Sequence, residues 1–203
     1  NTRVVTASGE YRMGDYDTRT DAVRMAVEAA KRDALEQIAT YLEKVTEVRN
    51  MDVTRDDIRT YTAGIVRVLD QTITTNLEGD VVVIRADLTA QVDPNEVAHA
   101  IAALRENDSA KNELLALREE TDQLQQQLDA ANQALADAAS PEEVQAAGQR
   151  RQDTLNELQA NALVSQAWTS VVYATPGFYS YPWVGVAGIN GLLLQAQRLY
   201  PTE

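Results

Sequence analysis

The chain has 203 residues and a formal charge of −13, from 31 acidic and 18 basic side chains, and it contains no cysteine. Nothing in it resembles a basic stripe, so nucleic acid and anionic headgroups are disfavoured as partners; net charge of this size serves first to keep a protein dispersed. Without Cys, disulfides, thiolate nucleophiles and thiolate metal sites are excluded.

Residues 1 to about 16 alternate as a strand does, with Val5, Ala7, Gly9 and Tyr11 on one side and Val4, Thr6, Ser8 and Glu10 on the other. Gly14 and Asp15 supply a turn. An amphipathic helix over about 20–48 comes next, because Val23, Ala26, Val27, Ala30, Ala34, Ile38, Tyr41, Leu42 and Val45 recur at three- and four-residue steps. Asp17 or Thr20 is placed to cap it. The charged residues between, from Glu28 and Arg32 to Glu43 and Lys44, read as a solvated face.

Thr54 and Asp57 mark the start of a shorter helix lined by Ile58, Tyr61 and Ile65. Val66 to Thr75 is rich in β-branched residues and predicts a strand, and Glu78-Gly79 lies in a turn. The clearest strand is the third: Val82, Ile84, Ala86, Leu88, Ala90 and Val92 alternate with Val83, Arg85, Asp87, Thr89 and Gln91. One face is to be buried and the other wet, with the 20–48 helix as the cover.

Asp93-Pro94-Asn95-Glu96 starts a helix with a capping acid, Pro first and Glu third. Its stripe of Val97, Ile101 and Leu104 is out of phase with the next apolar stripe, so the helix bends or restarts near Asn107-Asp108-Ser109. The first part is expected to pack on the sheet and the second to project from it. Leu114, Leu117, Thr121, Leu124, Leu128, Ala131, Leu135 and Ala138 then form an a/d seam, the pattern of a helix that buries one narrow stripe against another. Ser140-Pro141-Glu142-Glu143 repeats the starting pattern, and Val144, Leu155, Leu158 and Ala162 give a thinner stripe interrupted by Gly148 and Arg151. The short link favours an antiparallel helical hairpin over a continuous kinked rod. Thirty residues of helix would reach roughly 45 Å at about 1.5 Å each.

From Leu158 to Gln197 there is no charged side chain, yet Trp168, Tyr173, Phe178, Tyr179, Tyr181 and Trp183 fall inside this run. Trp183 to Leu194, which ends in Leu192, Leu193 and Leu194, is apolar except for Asn190. It is shorter than the roughly 20 residues of a spanning helix. The aromatics suit either a protein interface or a membrane boundary; packing back onto the chain's own hairpin is the third option.

No chemistry-bearing constellation accompanies these elements. His99 is the single histidine, and the adjacent pairs Asp56-Asp57 and Glu119-Glu120 point to different sides of a helix. Neither an EF-hand loop, a P-loop nor a dinucleotide fingerprint is present, and the Gly185, Gly188 and Gly191 spacing lacks the strand-turn-helix setting such a fingerprint needs. No catalytic, cofactor-binding or metal-ligating residue is therefore nominated, and no cofactor is expected.

The Val4–Tyr11 strand ending in Gly9-Glu10-Tyr11, the helix carrying Ala26-Val27-Glu28-Ala29-Ala30-Lys31-Arg32-Asp33-Ala34-Leu35 and the hairpin ending in Val81–Val92 together resemble a known domain. It is the small α+β domain of the LPP20 lipoprotein family and of the N-terminal part of the flagellar assembly protein FlgT. The resemblance covers residues 1 to about 100. It implies an exported protein of a Gram-negative envelope, periplasmic or outer-membrane associated, without catalytic residues and built into rings or discs. Lipoproteins of that family start their mature chain at Cys; the residue here is Asn1, which gives the apolar tail more reason to exist.

The expectation is an α+β fold: a small three-stranded antiparallel sheet packed by a long helix, then a long antiparallel helical hairpin and an apolar aromatic C-terminal segment. Its divisions are 1–106, 107–167 and 168–203. The expected function is that of a structural, self-assembling homo-oligomer. Leu114, Leu117, Leu124, Leu128 and Leu135 of the seam and Trp168, Tyr173, Phe178, Tyr179, Tyr181, Trp183, Leu192, Leu193 and Leu194 of the tail would form contacts between subunits. Outer-membrane contact through 168–200 is a further expectation. The alternatives are a membrane-embedded pore or anchor and a monomeric periplasmic binding module.

Overall fold

The computed structural model describes residues 2–63 and 65–173, with side chains as far as Ser165. Among the described residues the fold is α+β, with three strands and six helices. In chain order they are β1 (Arg3–Arg12), α1 (Arg19–Leu42), α2 (Thr46–Arg49), α3 (Arg55–Thr62), β2 (Arg67–Glu78), β3 (Val81–Val92), α4 (Pro94–Arg105), α5 (Asp108–Asp137) and α6 (Pro141–Tyr173).

The sheet is antiparallel with order β1-β3-β2, so the strand with the clearest alternation sits in the centre. Its even-numbered residues from Ile84 to Val92 are buried, matching Val5 and Ala7 on β1. Val83 is the exception, buried on the other face. β2 and β3 are joined by Gly79-Asp80, where Gly79 takes φ 61°, the left-handed region that favours glycine in a two-residue hairpin loop.

α1 is capped by Thr18, whose hydroxyl accepts from the Asp21 N–H, rather than by Asp17 or Thr20. It ends at Leu42 instead of running to 48, because Val45 turns extended and caps the separate short helix α2. Its sheet-facing ridge is Ala22, Ala26, Ala30 and Ala34, all fully buried and four residues apart. Side chains this small let the helix lie very close to β1. At Gly9 the approach is so tight that a Cβ would overlap the Ala30 nitrogen and the Ala26 carbonyl oxygen. Glycine here makes room for a helix backbone.

At one end of the sheet, Ile38 and Leu42 of α1, Ile58 of α3, Val97, Ile101 and Leu104 of α4 and Leu114 of α5 join Val5 and Val92 in the main core. α3 begins with a complete capping box between Thr54 and Asp57, and α4 begins as expected, with Asp93 accepting from Asn95 N–H and Pro94 in the first turn. α4 packs among α2, α3, α5 and α6 more than on the sheet. The chain restarts after Arg105, and Asn107 caps α5 by accepting from the Ala110 N–H.

α5 and α6 form the antiparallel hairpin, with Ser140 and Glu143 exchanging hydrogen bonds across the start of α6. The hairpin does not project. It lies along the outer side of α1, giving three layers: sheet, α1, hairpin. Arg32 reaches Gln125, Met25 packs with Leu124, Leu128, Leu155 and Leu158, Arg24 donates to Asn156 at 2.9 Å, and Tyr16 lines a hollow together with Ser140 and Pro141 at the hairpin tip. The expectation of projection fails because the outer face of α1 is not only a solvated one: Met25 joins the apolar cluster of the hairpin, and Arg24 and Arg32 hydrogen-bond to it.

Candidate functional site

The five seam leucines nominated for assembly are all buried, and what buries them is this same chain. Leu114 belongs to the main core, Leu124 and Leu128 pack with Met25, Leu155 and Leu158, and Leu117 and Leu135 are buried along the same helix face. Each such side chain contributes about 1.5–3 kcal/mol when taken from water into a packed interior. With that area already used between α5, α6 and α1, the seam has no free surface to offer a second subunit. Contact between subunits through these residues is replaced by contact within one chain.

The hairpin is held at a second place by a buried polar cluster. Arg151, which interrupts the apolar stripe of α6 in the sequence, has 2% of its side chain exposed and lies between Asp17 (3%) and Asp21 (9%). Its guanidinium donates to Asp17 Oδ1, to Asp21 Oδ2 at 3.4 Å and to the Tyr11 hydroxyl at 3.3 Å. Tyr11 in turn donates to Asp17 Oδ2 at 3.0 Å, and the same oxygen accepts from the Gly14 N–H at 2.7 Å. Burial, then the charge and hydrogen bond of Asp17, push the Tyr11 phenol up to about 12, against a smaller opposing effect of Arg151. Burial opposes the charge of Arg151, but hydrogen bonding and attraction from Asp17 outweigh it and raise its pKa. One cation between two carboxylates ties α6 to the end of β1 and the start of α1, and removing either partner of such a buried pair leaves a charge without its counterion. The sequence signal for it was a charged residue at a stripe position, two turns from Val144 and one from Leu155.

The two edges of the sheet are finished differently. On β1 two outward backbone groups are met by α1 side chains: Asp33 Oδ2 accepts from the Ser8 N–H at 3.2 Å, and Gln37 Nε2 donates to the Thr6 carbonyl at 3.0 Å. Gln37 also donates to Asp33 at 3.0 Å, which locks the pair. On β2, among the described residues, no side chain caps the outer backbone from Val68 to Glu78. α1 covers β1 and β3 and leaves β2 largely uncovered. Leu69 and Leu77 are accordingly 53% and 71% exposed, while Val68 and Ile73 are only partly buried against the alanine ridge.

His99 is exposed on α4. Asp57 serves the α3 cap, and Asp56 pairs with Arg59 and Arg118. Among the described residues no group of three His, Cys, Asp or Glu is arranged to hold a metal, and no helix is long and apolar enough to cross a membrane. A groove of about 520 Å³ runs between α1 and the hairpin, lined by charges of both signs including Glu28, Arg32, Arg59 and Asp122. Trp168 and Tyr173 fall on the α6 backbone with their side chains outside the described residues; Phe178, Tyr179, Tyr181, Trp183, Leu192, Leu193 and Leu194 lie wholly outside them. No protein-family model, no curated protein and no solved structure matches the chain.

Proposed function

We propose that this is a non-enzymatic structural protein of a Gram-negative cell envelope that self-assembles into a ring, disc or other oligomer through its C-terminal run. The observation that carries this reading is the absence of any charged side chain from Leu158 to Gln197, in a chain whose formal charge is −13. Aromatic residues without charge are the composition of interface cores. Of the two stretches nominated for assembly, the seam is buried within the chain, which leaves this run as the candidate. The envelope setting, periplasmic or outer-membrane associated, rests on the resemblance of residues 1 to about 100 to the LPP20 and FlgT-type domain.

Mass photometry without detergent tests it, on the full chain and on a chain ending at Tyr173, which retains the buried Leu163. The expected result is a large dispersed species for the first and a small one for the second. A sharp monomer for the full chain overturns the proposal. A second reading, a membrane anchor or pore, is favoured by the aromatics that flank the Trp183–Leu194 run. It requires that the full chain disperse only with detergent or lipid while the shortened chain needs neither.

A further inference from the structure

We propose that the open edge of β2 is where a second copy of this chain continues the sheet, the two β2 strands pairing antiparallel about a two-fold axis through Ile73. An unpaired strand edge is a template for another strand, and proteins that stay apart blunt it with charged residues, Pro, bulges or covering elements. β1 is blunted in this way by Asp33 and Gln37. β2 has neither Lys nor Pro, and its stretch Gln71-Thr72-Ile73-Thr74-Thr75-Asn76-Leu77 carries no charge. Its one irregularity, the register shift between Val68 and Asp70, takes in Leu69 just before that stretch and leaves Gln71 to Leu77 regular.

The strand is complementary to itself in one register. Two-fold antiparallel pairing keeps side chains on matching faces only if some residue pairs with its own copy. With Ile73 on the axis, Thr72 faces Thr74, Gln71 faces Thr75, Asp70 faces Asn76, and Leu69 comes beside Leu77, so the two exposed leucines of each strand cover those of the other. Moving the axis to Thr74 sets Asp70 opposite Glu78, two like charges. Moving it to Thr72 sets Leu77 opposite Arg67 and leaves Leu69 facing Thr75. Cross-strand pairs reward the first arrangement and penalise the second. In a chain with a net charge of −13, this neutral window is also where two copies approach with least repulsion.

The absence of cysteine allows a direct test in the full chain. Gln71→Cys and Thr75→Cys chains, both changes at exposed positions, are mixed under mild oxidation and should form a disulfide-linked heterodimer. Ile73→Cys alone should form a homodimer, since paired Cα atoms lie about 4.5–5.5 Å apart. Leu77→Cys alone should not, because its two copies would stand about 26 Å apart at roughly 3.3 Å per residue. Leu77→Lys should weaken dimerisation measured by sedimentation about tenfold, the lost pair being present twice. Cross-linking no stronger at 71 with 75 than at 77 alone overturns the proposal, as does a dimer indifferent to Leu77→Lys. The pairing is argued from β2 alone, so loss of β2 cross-linking with tail-dependent assembly intact defeats this inference alone, and the reverse result defeats the tail reading alone.

Discussion

β1 and β2 flank the same central strand, yet among the described residues one edge carries side-chain caps and the other does not, and the difference lies in what α1 can reach. α1 lies over β1 at backbone distance, because Gly9 faces the Ala26–Ala30 segment with no side chain between. That closeness brings Asp33 and Gln37 within reach of the Ser8 and Thr6 backbone. β2, on the far side of β3, lies beyond the helix and beyond those caps. A helix laid close over one edge of a sheet can finish that edge from within the chain, and β2 lies outside its reach.

The largest effect should come from removing the closeness itself. Gly9→Val places a branched side chain where even a Cβ overlaps the Ala30 nitrogen and the Ala26 carbonyl. Ordinary overpacking costs about 1–3 kcal/mol; here the obstruction is backbone that cannot rotate away. The expected outcome is loss of the cooperative thermal transition by circular dichroism. A variant that melts normally would show that α1 lifts from β1 without penalty, and the contrast between the two edges would lose its basis.

Next in size is the anchor at the end of β1. Arg151→Ala leaves Asp17 and Asp21 buried without their cation, and losing one partner of a buried ion pair typically costs about 3–5 kcal/mol. Urea unfolding should report it. Arg151→Met, which keeps the stem, should recover little, because the two carboxylates remain uncompensated. The same cluster gives a pH signature. The Tyr11 phenol sits at about 12 in the folded chain against 10.0 as its ordinary value. Above pH 10 the unfolded chain therefore binds fewer protons at this site than the folded one, so stability falls as pH rises. The contribution is fully present below pH 10 and is lost by about pH 12. Tyr11→Phe should flatten that limb of the stability profile.

Much of the contrast between the edges was legible in the residues and some was not. The alternation of β1 and β3 marked the buried face, and the starting patterns at Thr54, Asp93 and Ser140 marked three helix starts, because these signals are local. The seam announced that Leu114 to Leu135 would be buried but not against what: an a/d stripe is the same whether its partner is α6 or another subunit. Arg151 read as an interruption because its partners, Asp17 and Asp21, are some 130 positions away. Asp17 read as a cap for the same reason, a short-range role being the only one visible without the fold. Asp33 fell among the charged residues of a solvated face and Gln37 carried no signal, and only the approach at Gly9 turned them into caps for a strand edge. The tail's composition was plain, and its residues from 174 onward lie outside the described structure.

The smallest effect is also the most informative about the edges. Asp33→Ala removes the acceptor of the Ser8 N–H at an exposed position, where water replaces it, so stability should fall by no more than about 1 kcal/mol. Its neighbour Gln37 loses the hydrogen bond that holds it over the Thr6 carbonyl. The β1 edge is then as open as that of β2, with Thr6 and Ser8 free to pair. Sedimentation velocity should show species larger than those of the unaltered chain, since a molecule with two open edges can chain where one with a single open edge can only pair. The effect should vanish when Thr6→Pro is added, because proline at β1 obstructs pairing there. If Asp33→Ala leaves the size distribution unchanged, the caps are incidental and the shape of α1 over β1 is what closes that edge.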